Sequence, residues 1–314
     1  MEVWILYGDD IDSTADLAFE MRRFLSEGDK LGMTVKAFKP NQFDLLVTET
    51  NREQIIIDGE WQDLPDFVFP YFNHSDHSYF SLAIVRQFER MGVPVFNNAD
   101  TLERVRDKLH AHQILAESGI PTPDTMLAKF PINVELVEEN LGFPVIVKTL
   151  HGALGSGVFL IENAKSFDDL MTLVHETQPN ILMIFQKFVA SSKGRDVRIL
   201  IVEGKVVAAM QRTAKAGDFK ANYSQGGSVD EFKVDKAAAK IAIDTAKALN
   251  IQIAGIDLLF TENGYTICEA NTFPGFKGLE KATGVNVPEA ILLAMKSHLE
   301  SVKSPKLVQK LFGA

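Results

Sequence analysis

Several classes of protein are excluded by what this sequence lacks. One cysteine, Cys268, in 314 residues rules out an internal disulfide, and no Cys/His cluster has the spacing of a structural zinc site. There is no run of about 18 uncharged apolar residues, the length a membrane-spanning helix requires. The opening MEVWILYGDD meets acid where a secretory signal continues apolar, so the chain is expected to be soluble, unexported and cytoplasmic. Positive charge is not in excess: 32 Lys and Arg face 42 Asp and Glu, a net charge of −10, which argues against nucleic-acid binding through bulk charge. The segment LYGDDID after the first strand holds a single glycine, which sets aside a dinucleotide-dependent oxidoreductase. Sustained repeats and low-complexity segments are absent as well.

What is present is a 46% hydrophobic chain, long enough for two or three domains, punctuated by Gly, Pro and Asn at spacings that suit alternating strands and helices. The spacing predicts an α/β architecture in three parts. Residues 1–99 read as a small Rossmann-like open sheet: strand VWILYG, helix TADLAFEMRRFLSEGDKLG, strand TVKAFK, a hairpin LLVTET…EQIIIDGEW, then DFVFPYF, helix YFSLAIVRQFERMG and VPVFNN. Residues 100–189 open with one amphipathic helix to about Gly119 and the boundary segment IPTPDTMLA. A small α/β unit follows, with strands in FPVIVKTL, VFLIEN and ILMIFQKFV and helices in VELVEENLG and FDDLMTLVHET, the latter with a solvated face. Residues 190–314 hold the strand pair DVRILIVEGKVVAAMQRTA, a polar loop, a helix from Asp235 to Asn250, the pair AGIDLLFTENGYTICEAN and a terminal helix near PEAILLAMKSHLESV.

Three clusters carry chemistry. In ICEAN, Glu269 and Asn271 share one strand face while Cys268 and Ala270 take the other, so Cys268 reads as core. A three-residue loop, Glu262 to Gly264 with Gly264 left-handed, places Asp257 opposite Glu269. Two carboxylates and a carboxamide on one face suit a hard cation such as magnesium, with Glu269 able to bridge two ions; a solvent-facing acidic hairpin is the other reading, and the flanking apolar residues favour a buried site. In VIVKTLHGALGSGVFLI, Lys148 ends a strand and Gly152, Gly155 and Gly157 free the loop to approach phosphate oxygens with its N–H groups, or form a plain glycine-rich turn. In AMQRTAKAGDFKANYSQGG, Arg212, Lys215 and Lys220 crowd beside Asn222, either as a solvated loop or as cations for a phosphoryl or carboxylate group.

These three segments, in this order, resemble the ATP-grasp superfamily, and specifically the RimK-like amino-acid ligases that append glutamate to a carboxyl terminus. The likeness covers almost the whole chain and is strongest from Arg104 to Gly284, through RVRDKL, VIVKTLHGALGSGV, FQKFV…GRDVRILIVEGKVVAAMQRTAKAGDFKANYSQGG and AGIDLLF…ICEANTFPGFKGLEKATGV. It implies an ATP-grasp fold behind a Rossmann-like pre-ATP-grasp domain, with a small central α/β domain and a C-terminal α+β domain bearing the metal site. By the same likeness Lys108 and Lys148 contact ATP phosphates, and the flap contributes Gly155, Ser156 and Gly157. Gln186, Lys187, Phe188 and Val189 hold the adenine side, Asp196 the ribose side, and Lys220 and Asn222 lie near nucleotide and metal. Asp257, Glu269 and Asn271 become ligands of two magnesium or manganese ions. Arg212, Lys148 and Lys215 become the catalytic set, and Arg198, Arg212, Asn271, Pro274 and Gly275 contact substrate, with TFPGFKGLEKATG presenting the incoming amine.

The implied activity is ATP-dependent amide formation through an acyl phosphate, adding glutamate or another amino acid to a carboxyl group of a small molecule, peptide or protein C-terminus. The alternative is a nucleotide-binding regulatory module of the same fold without chemistry. The partners are a carboxylate acceptor and an amino-acid amine, with neither nucleic acid nor membrane, and a dimer or tetramer is implied. The chain departs from the family pattern in three places. Ala153-Leu154-Gly155 stands where such ligases often carry Thr/Ser-Gln-Gly, Thr213 stands in place of a second arginine, and PYFNHSDHSYF stands where many have an N-terminal-domain arginine. His74 and His77 are read as polar surface, with metal or substrate binding as the other reading; if they line a pocket, they belong to the acceptor side. His151, entering the flap, is read as incidental, although its position invites a substrate contact.

Overall fold

The computed structural model describes residues 1–8, 10–13, 15–50, 52–72, 78–150, 157–178, 180–221 and 226–312, with side chains to residue 302. Strand β1 (Glu2–Leu6) leads through helix α1 (Asp16–Lys30) to β2 (Thr34–Phe38). A short antiparallel set follows, β3 (Phe43–Asp44), β4 (Gln54–Ile57) and β5 (Glu60–Asp63), and β6 (Phe67–Pro70) returns to the first sheet. The sheet order is β2-β1-β6, all parallel, and α2 (Tyr79–Arg90) packs behind it. The expected hairpin arm LLVTET is not a strand. The hairpin is instead β4 with β5 around Asp58-Gly59, whose φ angles of +52° and +80° are those of the tight turn that Asp-Gly favours. VPVFNN likewise adds only one parallel bridge, Val95 to Val68.

The single helix expected from residue 100 to 119 is broken into α3 (Ala99–Arg106) and α4 (Lys108–Glu117). Asp107 causes the break: its carboxylate accepts from the backbone N–H of His110 at 3.0 Å, capping a new helix rather than continuing the old one. Lys108 thereby becomes the first residue of α4. Next come β7 (Thr125–Leu127), α5 (Val134–Leu141), β8 (Val145–Thr149), β9 (Val158–Ile161), α6 (Ala164–Thr177) and β10 (Met183–Lys187). They form an antiparallel sheet in the order β7-β10-β8-β9, packed on α5 and α6 through Val137, Phe167 and Phe185.

The last sheet runs β13-β12-β11-β14-β15, from β11 (Arg195–Val202), β12 (Lys205–Thr213), β13 (Ser228–Glu231), then α7 (Lys236–Ala248), β14 (Ile253–Thr261) and β15 (Gly264–Asn271). Helices α8 (Lys277–Thr283) and α9 (Val287–Phe312) close the chain. Alternation along these strands sorts the two faces. Val197, Ile199, Ile201, Ala254, Ile256 and Leu258 pack with Ala238, Ala242 and Ala246 of α7. Leu200, Val202, Met210 and Ile253 turn the other way, into one core with β1, β6, α1 and α9. Towards the strand ends this second face continues as Asp196, Arg198, Arg212 and Asp257, so the polar site is an extension of a core-forming face rather than a surface loop. Among the described residues no helix is long and apolar enough to cross a membrane.

Candidate active site

Asp257 on β14 and Glu269 on β15 are paired across the strands, as expected, but the turn that joins them is not the expected one. Thr261 pairs with Gly264, so the loop is the two residues Glu262 and Asn263, with Gly264 at φ +135°. The facing of the carboxylates comes instead from a bulge: Leu258 pairs with Ile267 while Asp257 pairs with Glu269, leaving Cys268 as the extra residue. The bulge overturns the strict alternation that put Cys268 in the core. Cys268 is half-buried and lines the same cleft as Asp257 and Glu269. Burial pushes its thiol up to about 12. Alkylation of Cys268 by iodoacetamide at pH 8 is therefore expected to run on the order of 10²-fold or more slower than that of a free cysteine, read by intact-protein mass, and to reach the free-cysteine rate in urea.

Register brings three more charges to this face. Asp196 of β11 lies opposite Arg212 of β12, and Arg198 of β11 opposite Asp257 of β14. Arg212 donates Nε–H and Nη2–H to the two oxygens of Asp196 at 2.6 and 2.8 Å, and Nη2–H to Asp257 Oδ2 at 2.8 Å. Arg198 holds both oxygens of Asp257 at 2.7 Å. All but Arg198 are buried. Burial works against the charge of Asp257, yet Arg198 and Arg212 together hold its carboxyl below the usual range. Asp196, with one guanidinium against a deeply buried carboxyl, is shifted up, burial prevailing. Arg212 stays protonated: burial opposes its charge, and Asp257 and Asp196 more than offset that.

The donor set Asp257, Glu269 and Asn271 consists of oxygens on one strand pair, with Asn271 Nδ2 donating to Glu269 Oε1 at 3.3 Å. No group of three His, Cys, Asp or Glu suited to a metal gathers among the described residues; the set here has two carboxylates and a carboxamide. Its chemistry fits a hard divalent cation. Both Asp257 oxygens already accept from arginine, so a cation there draws on their remaining lone pairs or displaces a guanidinium.

Opposite the carboxylates stand the lysines. Lys148 on β8 is buried and donates to Gln186 Oε1 at 2.8 Å. Gln186 on β10 donates to Thr125 Oγ1 at 2.9 Å and meets His112 Nε2 at 3.2 Å. Burial first, and then the charge of Lys148, push His112 down to about 4, so the imidazole is neutral at pH 7 and its Nε2 is assigned as the acceptor. Lys108 reaches the carbonyl of Leu150 at 3.3 Å, and burial lowers its ammonium from the usual value, partly offset by Glu269. Lys220 sits 6.0 Å from the ring of Phe159 and 5.6 Å from that of Phe219.

One open cleft joins these groups. Of the residues singled out from sequence, Lys108, Lys148, Gln186, Lys187, Phe188 and Val189 line it, with Asp196, Arg212, Lys220, Asp257 and Glu269. Arg198 and Asn271 touch that set without lining the cleft. Pro274 packs beside them: a Cβ added at Gly255 would meet Pro274 Cβ at 2.6 Å and Arg198 Nε at 3.6 Å. Gly275 lies next to Glu20, and Gly157, at φ +71°, stands against Thr149. Lys215 is exposed and lies over Gly226, outside the lining. Gly152, Gly155, Ser156 and Asn222, with His74, His77 and His151, are outside the described residues.

Several participants were missed from sequence. His112 sits one turn after Lys108 on α4, and Ile146 two residues before Lys148 on β8, spacings that put each on the face of an already chosen lysine. Thr125, Thr149, Arg195, Phe219 and Leu259 carried no comparable signal.

Residues 105–295 match the family described as the RimK-like ATP-grasp domain, and residues 1–102 the RimK pre-ATP-grasp domain. A protein of Pseudoalteromonas atlantica named probable alpha-L-glutamate ligase 2 is 34% identical over 275 residues, 87% of this chain and 90% of its own length. The probable alpha-L-glutamate ligase of Psychromonas ingrahamii is 32% identical over 289 residues, 92% of this chain and 94% of its own. Among solved structures, the ATP-grasp ligase PsnB, complexed with minimal precursor, Mg and ADP, superposes with TM-score 0.72 at 16% identity, over 95% of this chain and 98% of that one. D-alanine–D-alanine ligase from Bacillus anthracis gives 0.67 at 17% identity, over 97% and 99%. At such identities the superpositions speak for the ATP-grasp fold alone. The family match and the sequence relatives say more: this chain belongs to the RimK-like ATP-grasp ligases, ADP-forming enzymes that join a carboxylate to an amine at the expense of ATP.

Proposed function

We propose that the enzyme adds glutamate, or another amino acid, through its amine to the carboxyl group of a small molecule, a peptide or a protein C-terminus. The observation that carries this reading is the cleft itself, where the lysines Lys108 and Lys148 face the carboxylates Asp257 and Glu269 across a space lined also by Arg212. Cations on one wall and oxygen donors on the other suit a nucleoside triphosphate whose terminal phosphate is to be transferred.

Lys108 and Lys148 would hold the phosphates, Lys187 to Val189 the adenine edge, and Asp196 a ribose hydroxyl with lone pairs left over from Arg212. Asp257, Glu269 and Asn271 would hold one or two magnesium or manganese ions, which when bound neutralise charge on the phosphate oxygens. An acceptor carboxylate oxygen attacks the γ-phosphorus and ADP departs, leaving an acyl phosphate. The amine then attacks the acyl carbon, phosphate leaves, and the amine loses a proton. Three of the five N–H groups of Arg212 are engaged by Asp196 and Asp257, so its Nη1 end is the one available to the oxyanion of this second step. Lys215 enters only if it moves from its place over Gly226.

ADP release should be measured with magnesium and ATP across single amino acids, pairs and peptides ending in glutamate, with product masses read in parallel. The expected result is release that needs both a carboxylate and an amine, with a product one water lighter than their sum. ADP release that needs no amine, or no release across the whole panel despite nucleotide binding, would overturn the substrate assignment.

A further inference from the structure

The loop between β15 and α8 is tied to the N-terminal part of the molecule by bonds that the chemistry above does not use. Asn97 Nδ2 donates to the carbonyl of Thr272 at 3.2 Å. Tyr71 donates to Glu20 Oε2 at 2.6 Å and lies 3.4 Å from the carbonyl of Pro274. The backbone N–H groups of Phe276 and Lys277 donate to Glu20 Oε1 at 2.6 and 3.2 Å, and Lys277 Nζ donates to Asp16 at 2.6 Å. Glu20 is thus the hub, a carboxylate 1% exposed on α1, receiving three bonds beside the rings of Tyr71 and Phe276.

Among the described residues no cation bonds this carboxylate, and a buried carboxylate held that way is a costly means of fixing a loop. Burial shifts its carboxyl up to about 7, partly offset by the bonds from Tyr71, Lys277 and Phe276. Because that value lies above the ordinary one, Glu20 contributes most to stability below about pH 4.5, and the contribution is lost as pH rises through 7. The ionised carboxylate is therefore kept at the expense of stability, which points to what it positions. That loop runs through Pro274, which lies against Gly255 at a point that Arg198 also approaches, and Arg198 grips Asp257.

We propose that Glu20 is a positioning residue for the acceptor side of the ligase: its carboxylate fixes residues 274–277, and through Pro274 and Arg198 sets the pocket in which the amine meets the activated acyl group. The inference rests on reading this loop as the one that presents the amine. Among the described residues, the groups facing Glu20 are Tyr71, Asp16 and the backbone N–H groups of Phe276 and Lys277, with Tyr7 and Arg198 acting on Tyr71. None of these carries the charge partner that would keep Glu20 ionised well below neutrality.

The test uses full-length wild type, Glu20→Gln and Tyr71→Phe. Hydrogen exchange over residues 272–280 is measured from pH 6 to 8 after correction for intrinsic rates, alongside thermal melting and the KM values for ATP and for L-glutamate as amine probe. In Glu20→Gln, exchange in this segment should rise about tenfold at pH 8. The wild type should approach the same rate at pH 6, and the variant's response to pH should flatten. KM for L-glutamate should rise about tenfold, with KM for ATP within twofold and Tm at pH 8 no lower than in wild type. Tyr71→Phe should give a smaller change of the same sign. Unchanged exchange in both variants, or loosening spread over the whole chain with a matching fall in Tm, would overturn the proposal. If the wild type forms no ADP with any amine, the substrate reading fails, and the exchange profile by itself still decides the role of Glu20.

Discussion

Replacing Glu269 by alanine is expected to lower magnesium-ATP-dependent ADP release by at least ~10³-fold, a loss of about 4 kcal/mol of transition-state stabilisation. Glu269 directly faces Asp257 and lines the cleft with Lys108 and Lys148, so its removal takes away half of the carboxylate charge available to a cation. The fold should not notice. Glu269 is half-buried, and its side chain accepts one bond, from Asn271 at 3.3 Å. Removing a carboxylate beside Asp257 also relieves like-charge repulsion. Thermal melting should therefore stay within a few degrees of wild type while steady-state ADP release collapses; turnover within about tenfold of wild type would remove Glu269 from the metal set.

Arg212→Met should behave in the opposite way, losing stability as well as activity. Arg212 joins Asp196 to Asp257, all three buried. Without it Asp257 keeps Arg198, whereas Asp196 loses the guanidinium that met both of its oxygens. Breaking a buried pair from one side costs about 3–5 kcal/mol, because the remaining charge stays desolvated. Urea denaturation at pH 8 should show that loss. The sign with pH follows from Asp196, whose carboxyl burial already shifts upward. With the guanidinium gone it shifts further, so the stability defect should be largest at pH 8 and shrink as the pH falls and Asp196 takes up a proton. Adding Asp196→Leu should restore much of the stability and none of the activity. A single variant as stable as wild type at pH 8 would mean that the buried relay does not form in solution.

Much of this site was legible before any coordinates. Lys148 at the end of an apolar strand, Gln186 and Lys187 on the strand paired with it and Phe188 and Val189 just beyond, and the carboxylates of AGIDLLF and ICEAN all reached one cleft. Lys148, Gln186, Asp257 and Glu269 are polar residues at strand positions beside apolar ones, and local alternation decides which side such a residue takes. Where local patterns failed, a competing local chemistry had been overlooked. Asp107 capped a helix in the middle of an apparently continuous amphipathic run, and Asp58-Gly59 closed a hairpin shorter than the one assigned to LLVTET. The facing of Asp257 and Glu269 was foreseen through the wrong device, a longer turn in place of a bulge, and that substitution is what misplaced Cys268.

By itself, the sequence determined the order of strands and helices, the family, and the residue types that would gather at the cleft, because these depend on periodicity, caps and motif spacing within a few turns of chain. The tertiary structure alone decided the rest. That Asp257 is gripped by Arg198 and Arg212 depends on residues 59 and 45 positions away. That Glu20 reaches across 256 positions to hold the loop of Phe276 depends on how α1 packs against the end of the large sheet. A charge in a low-dielectric interior must find a partner wherever the fold brings one, and the identity of that partner is a property of register and packing, which no local stretch of sequence encodes.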